Sequence, residues 1–166
     1  AKELLWRCRE ELASEGVAMA ERIEVGVMIE VPGAAITADI IAPEVDFFSI
    51  GTNDLVQYTV AVDRVNDRVA GLFQPGHPAV LRLIRSVVET GKRHGIWVGV
   101  CGEMASDLMM TPVLVGLGIG ELSVGAGQVP RVKAAVRRLN AAECRDWAAG
   151  IMEMGDPDTI QRACRA

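Results

Sequence analysis

Glu44-Val-Asp-Phe-Phe-Ser-Ile-Gly-Thr-Asn-Asp-Leu-Val-Gln-Tyr-Thr-Val-Ala-Val-Asp-Arg64 is an apolar run that stops at a small, polar, acidic turn and then resumes. Val45 to Ile50 is β-branched and aromatic, the composition of a buried strand. Gly51 permits a backbone reversal, and Asn53 and Asp54 are N-capping residue types ahead of the apolar-periodic Leu55 to Val62. The stretch therefore predicts a strand, an acidic turn and a helix, with the turn at an active-site edge.

Upstream, Leu4, Leu5, Cys8 and Leu12 recur at helical spacing, so residues 2 to 15 predict an amphipathic helix that covers one face of a sheet and stops at Gly16. Glu24 to Val31 reads as a strand ended by Pro32 and Gly33, with Glu30 at its carboxyl end, and an Ala- and Ile-rich helix follows over residues 33 to 42. Downstream, Gln74 to Pro78 is a loop in which His77 has a turn role, and a helix over Ala79 to His94 closes at Gly95. Ile96 to Cys101 is a third strand, Gly102 to Asp107 opens a helix that runs to Leu117, and Glu121 to Ala126 is a fourth strand. Pro130 starts a basic amphipathic helix, and two shorter helical patterns occupy 141 to 150 and 157 to 164.

Four alternations of strand and helix predict an α/β fold with parallel strands and chemistry at their carboxyl ends. A doubly wound sheet would carry a Gly-rich phosphate loop after its first strand, where this chain has Glu30-Val31-Pro32-Gly33. A (β/α)8 TIM-type barrel instead takes functional residues from the ends of several strands, as Glu30, Asn53, Asp54, Cys101 and Glu103 are. A closed barrel needs eight strands and about 250 residues. Four strands predict half a barrel over residues 1–140, with 141–166 as a helical tail of the same domain.

The bulk properties narrow the function classes. The 166 residues are 50% hydrophobic and 23% charged, a globular composition, and a formal charge of -5 argues against non-specific binding to nucleic acid or anionic membranes. The cysteines at 8, 101, 144 and 164 form no Cys-x-x-Cys pair, which predicts reduced thiols in a cytoplasmic protein. There is no signal peptide or membrane-length apolar stretch, and Ala1 falls inside a running helical pattern, so a piece of a longer protein is expected.

Glu30 and Asp54 at consecutive strand ends suit one hard divalent cation, since Mg²⁺ takes one or two carboxylates and keeps other positions for water and substrate. Taken singly, each also reads as a solvated acid or a helix cap. Arg64 could return over the strand ends to clamp an anion, or pair on the surface with Asp63 or Asp67. Cys101 at a strand's carboxyl end could be a nucleophile, an acid or a packed thiol.

With those residues laid out, the segments Gly26-Val-Met-Ile-Glu-Val-Pro32, Val45 to Arg64 and Cys101-Gly-Glu-Met-Ala105 resemble the phosphoenolpyruvate (PEP)-utilising enzymes. Within that family, Gln57-Tyr58-Thr59, Ala61 to Arg64 and Met104 resemble the enzyme I group of the bacterial PEP:sugar phosphotransferase system more than PEP synthase or pyruvate phosphate dikinase. The resemblance implies strands five to eight of a C-terminal PEP-binding barrel. It implies Mg²⁺ on Glu30 and Asp54, PEP bound by Asn53, Asp54 and Arg64, and Cys101 as the proton donor that converts the enolate to pyruvate. Ser106 stands where the pattern has glycine, and Gly125 to Gln128 where it is richer in serine, so those loops are expected to differ in shape.

The same resemblance implies a phosphohistidine domain and the carrier protein HPr as partners through the rest of the protein, with this piece inactive alone. A half-barrel would also leave two parallel edges open, which predicts a homodimer. Two rival readings are a noncatalytic assembly module and a metal-dependent aldolase half-barrel acting on pyruvate enolate.

Overall fold

The computed structural model describes residues 1–165. Strands β1 (Val27–Ile29), β2 (Phe47–Gly51), β3 (Trp97–Cys101) and β4 (Glu121–Leu122) form one sheet in sequence order, and every neighbouring pair is parallel. Parallel neighbours need crossover segments. These are α2 (Pro32–Ile36) and α3 (Ala38–Ile41), then α4 (Thr52–Val60) and α5 (Pro78–His94), then α6 (Glu103–Ser106) and α7 (Thr111–Leu117). Helix α1 (Lys2–Ser14) precedes the sheet, and α8 (Val129–Val136), α9 (Ala141–Met152) and α10 (Pro157–Arg165) follow it. The expected α/β class and parallel sheet are what the chain forms.

Strand side chains alternate between faces, and the two faces of this sheet differ sharply. Ile29, Ile50 and Val100 share one level of the register, and with Phe48 and Val98 they are buried in the core. Val80, Leu81, Ile84, Val87 and Val88 of α5 join them there, each contributing roughly 1.5–3 kcal/mol relative to exposure. The opposite face is open. Met28 is 48% and Trp97 38% exposed there, and Phe47 stacks on Trp97 with ring centroids 4.2 Å apart.

Several elements differ from the sequence expectation. No residue of α1 is buried, and Leu4, Trp6 and Leu12 are all exposed, so this helix does not cover a sheet face. The helix expected over 33–42 breaks at Thr37, whose hydroxyl donates back to the Gly33 carbonyl at 2.8 Å and whose backbone leaves the helical region. The helix expected up to Leu117 is two helices, because Asp107 accepts from the Met109 amide (2.9 Å) and turns the chain between them. β4 pairs over only two residues, and β1 begins at Val27.

Asp46 ties the approach to β1 onto the approach to β2. Its carboxylate accepts from the Val25 amide at 2.8 Å and from Arg22 at 3.1 Å, while its own amide donates to the Val25 carbonyl at 2.9 Å. The Val25 hydrogen bond, aided by Arg22 against some desolvation, holds the Asp46 carboxyl below its ordinary pKa. A depressed folded-state pKa stabilises above the unfolded value and is lost as pH falls through the folded one. Asp46→Asn should therefore be less stable than the parent at neutral pH, with the gap closing on acidification below about pH 4. Denaturant titrations of both proteins at several pH values would check this. Among the described residues no helix is long and apolar enough to cross a membrane.

Candidate active site at the strand ends

The sheet register builds the site. Gly51 pairs with Cys101, and Glu30, one residue past the Ile29–Ile50 pair, stands level with Gly51. Glu30, Gly51 and Cys101 thus form a row across three strands at their carboxyl ends, on the open face. Adjacent strands lie about 4.8 Å apart, so the outer two backbones are about 10 Å apart.

Gly51 is needed for space. Its φ of -81° is unstrained, so it is not the reversal point expected from the sequence. A Cβ there would lie 2.9 Å from the Glu30 carboxylate and 3.0 Å from the Met28 sulfur. The bare backbone at the centre of the row leaves room for the Glu30 side chain to lie over it.

The next turn carries Thr52, Asn53 and Asp54 into the first turn of α4, where Asp54 sits half-buried. Asn53 does not cap this helix, which has no side-chain cap. Its Oδ1 instead accepts from the backbone amide of Glu103 at 3.0 Å, fifty residues along the chain. With the oxygen so engaged, the amide nitrogen is the free end of the side chain. Thr52, 1% exposed, donates to the Cys101 carbonyl at 2.7 Å. These two bonds bind the β2–α4 turn to the β3–α6 turn. Between their endpoints Gly102 has φ +90°, a conformation that favours glycine. Ser106, at the departure from the family pattern, donates to the Glu103 carbonyl (3.0 Å) and closes the same turn.

Arg64 comes back toward these ends on the long segment between α4 and α5. Ala61 stops α4 in the left-handed region, and the Arg64 amide donates to the Gln57 side chain at 3.3 Å. Arg64 and Glu103 then line one opening together with Val65, Ala70 and Phe73. Among the described residues none of the ion pairs involves Arg64, and Asp63 spends its carboxylate on the Val65 amide. A second cavity, of about 260 Å³, lies beside the site, between residues 70–76 and α10.

Among the described residues no group of three or more His, Cys, Asp and Glu is placed to hold a metal. Glu30 and Asp54 nevertheless offer hard oxygen donors on adjoining elements, and neither carboxylate is taken up by a hydrogen bond or ion pair among the described residues. Such a pair fits a cation that keeps much of its shell for water and ligand oxygens.

The other thiols and the histidines are poor rivals. Cys8 is exposed on α1, and Cys144 and Cys164 have their pKa raised, chiefly by burial. His77 caps α5, its Nδ1 accepting from the Ala79 amide at 3.1 Å, and His94 ends the same helix before Gly95.

Known proteins carry this arrangement further. The profile of the family described as PEP-utilising enzyme, PEP-binding domain, matches residues 1–141. The chain belongs to that family. Curated relatives in it include phosphoenolpyruvate-protein phosphotransferases from Priestia megaterium (45% identical) and Staphylococcus carnosus (49% identical), each over 160 residues. A third, from Geobacillus stearothermophilus, is 47% identical over the same length. Each match takes in 96% of this chain and 28% of the relative, so the chain spans little more than a quarter of the PEP-utilising enzymes it matches.

The sequence singled out Glu30, Asn53, Asp54, Arg64 and Cys101, and the fold sets all but Arg64 at adjacent strand ends or the turn that follows, with Arg64 at the opening beside Glu103. It did not single out Thr52 or Gly102. Their signal was position alone, a hydroxyl and a glycine beside the candidate residues.

Proposed function

We propose that this chain is the PEP-binding part of a phosphoenolpyruvate-protein phosphotransferase of the enzyme I type, and that its four strands are half of a (β/α)8 barrel. The carrying observation is the row Glu30–Gly51–Cys101 with Asp54 and Asn53 on the adjoining turn. Carboxylates, an amide and a thiol at neighbouring strand ends support this reading. Residues 1–140 would be barrel and 141–166 its tail, with the open face covered by the rest of the barrel, in a cytoplasmic homodimer.

Glu30 and Asp54 would hold Mg²⁺, which when bound supplies neutralising charge for phosphoryl and enolate oxygens. The Asn53 amide nitrogen donates to a substrate oxygen, its Oδ1 being held by Glu103. Arg64 binds the anionic groups with its planar fork, which suits phosphate and carboxylate alike. The phosphoryl group passes to a histidine outside this chain and on to HPr, since His77 is committed to a helix cap and His94 precedes the start of β3, at the opposite end of the strands. Loss of the phosphoryl group leaves pyruvate enolate. Cys101 then gives its S–H proton to the enolate's terminal carbon: a C–H bond forms from the C=C electron pair, the S–H bond breaks, and the thiolate regains a proton from water.

The test is calorimetric titration of the chain with oxalate, an enolate mimic, with and without Mg²⁺. Binding should require Mg²⁺, and Asp54→Ala should weaken it by more than the roughly 10–100-fold that loss of a supporting residue costs at a metal site. Metal-independent binding, or none at all by an intact fold, would overturn the reading, the second outcome in favour of a noncatalytic module.

A further inference from the structure

We propose that Thr52 is a positioning residue for the proton transfer from Cys101, an inference that rests on the proton-donor reading above. Thr52 occupies the first turn of α4, where a threonine hydroxyl ordinarily serves its own helix. Instead it crosses to the next strand and donates to the Cys101 carbonyl at 2.7 Å, while the residue is 1% exposed. The Val100 carbonyl faces β4, accepting from the Ser123 amide (2.8 Å), so the next carbonyl, that of Cys101, faces β2, with which Cys101 pairs at Gly51. Thr52 therefore adds a side-chain bond where the β2–β3 pairing ends.

The consequence is geometric. Just past Cys101 the chain reverses at Gly102 and is caught again where the Glu103 amide meets Asn53. The backbone presenting the thiol is thus pinned on both sides by consecutive residues of one turn, the turn that also carries Asp54. The thiol is held in a fixed relation to the groups proposed to hold substrate. Proton delivery to carbon depends on distance and direction, and displacements near 1 Å cost on the order of 100-fold in rate.

The experiment uses the full-length protein that carries this chain, with Thr52→Val, Thr52→Ser and Cys101→Ala. The substrates are PEP and, in ²H₂O, its 3-methyl analogue, whose protonation makes a chiral methylene carbon; the 2-oxobutyrate formed is trapped by reduction. Thr52→Val should lower kcat at least about tenfold with KM for PEP within about twofold, and should erode the stereochemical purity of the deuterated carbon. Thr52→Ser, which keeps the donor, should restore both. Should the valine variant melt well below the parent, the smaller Thr52→Ala replaces it.

Parental rate and stereochemistry in Thr52→Val would overturn the proposal, as would a serine variant as impaired as valine. A fully active Cys101→Ala with parental stereochemistry would instead bring down the proton-donor reading, and the role of Thr52 with it. An impaired Cys101→Ala beside a normal Thr52→Val sinks only the positioning role of Thr52.

Discussion

Gly102→Ala is expected to lose the candidate site and to lower the melting temperature by roughly 4–24 °C, at 2–4 °C per kcal/mol for a chain of this size. Two costs add. At φ +90° and ψ -173° the backbone lies where a side chain is strained, worth of order 1–3 kcal/mol. The new Cβ would also stand 2.6 Å from the Thr52 hydroxyl and 2.9 Å from Asn53 Oδ1, the donor and acceptor atoms that lock the strand ends together. Displacing either leaves a polar group short of its partner, a further 1–3 kcal/mol or so. Circular dichroism melts and Mg²⁺-dependent oxalate titrations check both halves. Gly125→Ala is the control, since a Cβ there meets nothing within 4 Å and should change neither quantity. A Gly102→Ala protein that melts and binds like the parent would show that the turn is not held as described.

The second large effect lies far from the strand ends. Helices α7 and α9 pack so closely at Gly116 that a Cβ there would overlap the Cys144 carbonyl oxygen, with the carbonyl carbon at 2.6 Å and Ala148 Cβ at 2.7 Å. The obstacle is helix backbone, which cannot turn aside as a side chain can. Gly116→Ala should force α9 outward at a cost at or above the upper end of the roughly 1–3 kcal/mol typical of overpacked cores. Cys144 reports the event. It is 4% exposed, and burial, then the charge of Glu143, pushes its thiol pKa up, so alkylation in the parent is slow. In Gly116→Ala the thiol should react about 100-fold faster or more, one factor of ten for each 1.4 kcal/mol of lost docking. Mass spectrometry after timed alkylation reads this, and an unchanged rate at Cys144 would contradict the predicted clash.

Residues whose role is set by near neighbours were legible in the sequence. Val45 to Ile50 reads as strand because its residue types suit a pleated, buried surface, and the acids Glu30, Asp54 and Glu103 after the first three apolar runs mark where those strands meet solvent. His77 reads as a turn residue and caps α5 across two positions. Roles set by distant partners were not legible. Asn53 has a capping side chain by type, yet its partner is an amide fifty residues away, brought near only by the β2–β3 pairing. Gly51 reads as a point of backbone reversal, and only the folded chain shows that its bareness makes room for Glu30. The stripe on α1 has the period of a packed helix, but period says nothing about what lies opposite, and among the described residues nothing buries it.

The sheet order has a bearing on biosynthesis. Each strand pairs with the next one in sequence, so every ladder forms against chain that has already left the ribosome, and none waits for a partner made much later. Synthesis is slow enough for early units to fold as later ones emerge, at about 5–20 residues per second. The sheet can therefore grow one strand at a time from β1. The clasp between α7 and α9 is different: it joins residues 116 and 144, and it closes only once α9 has been made. Until then the side of α7 that α9 covers stays bare on the nascent chain, so the interval between those two helices is one in which this apolar surface is open to chaperones.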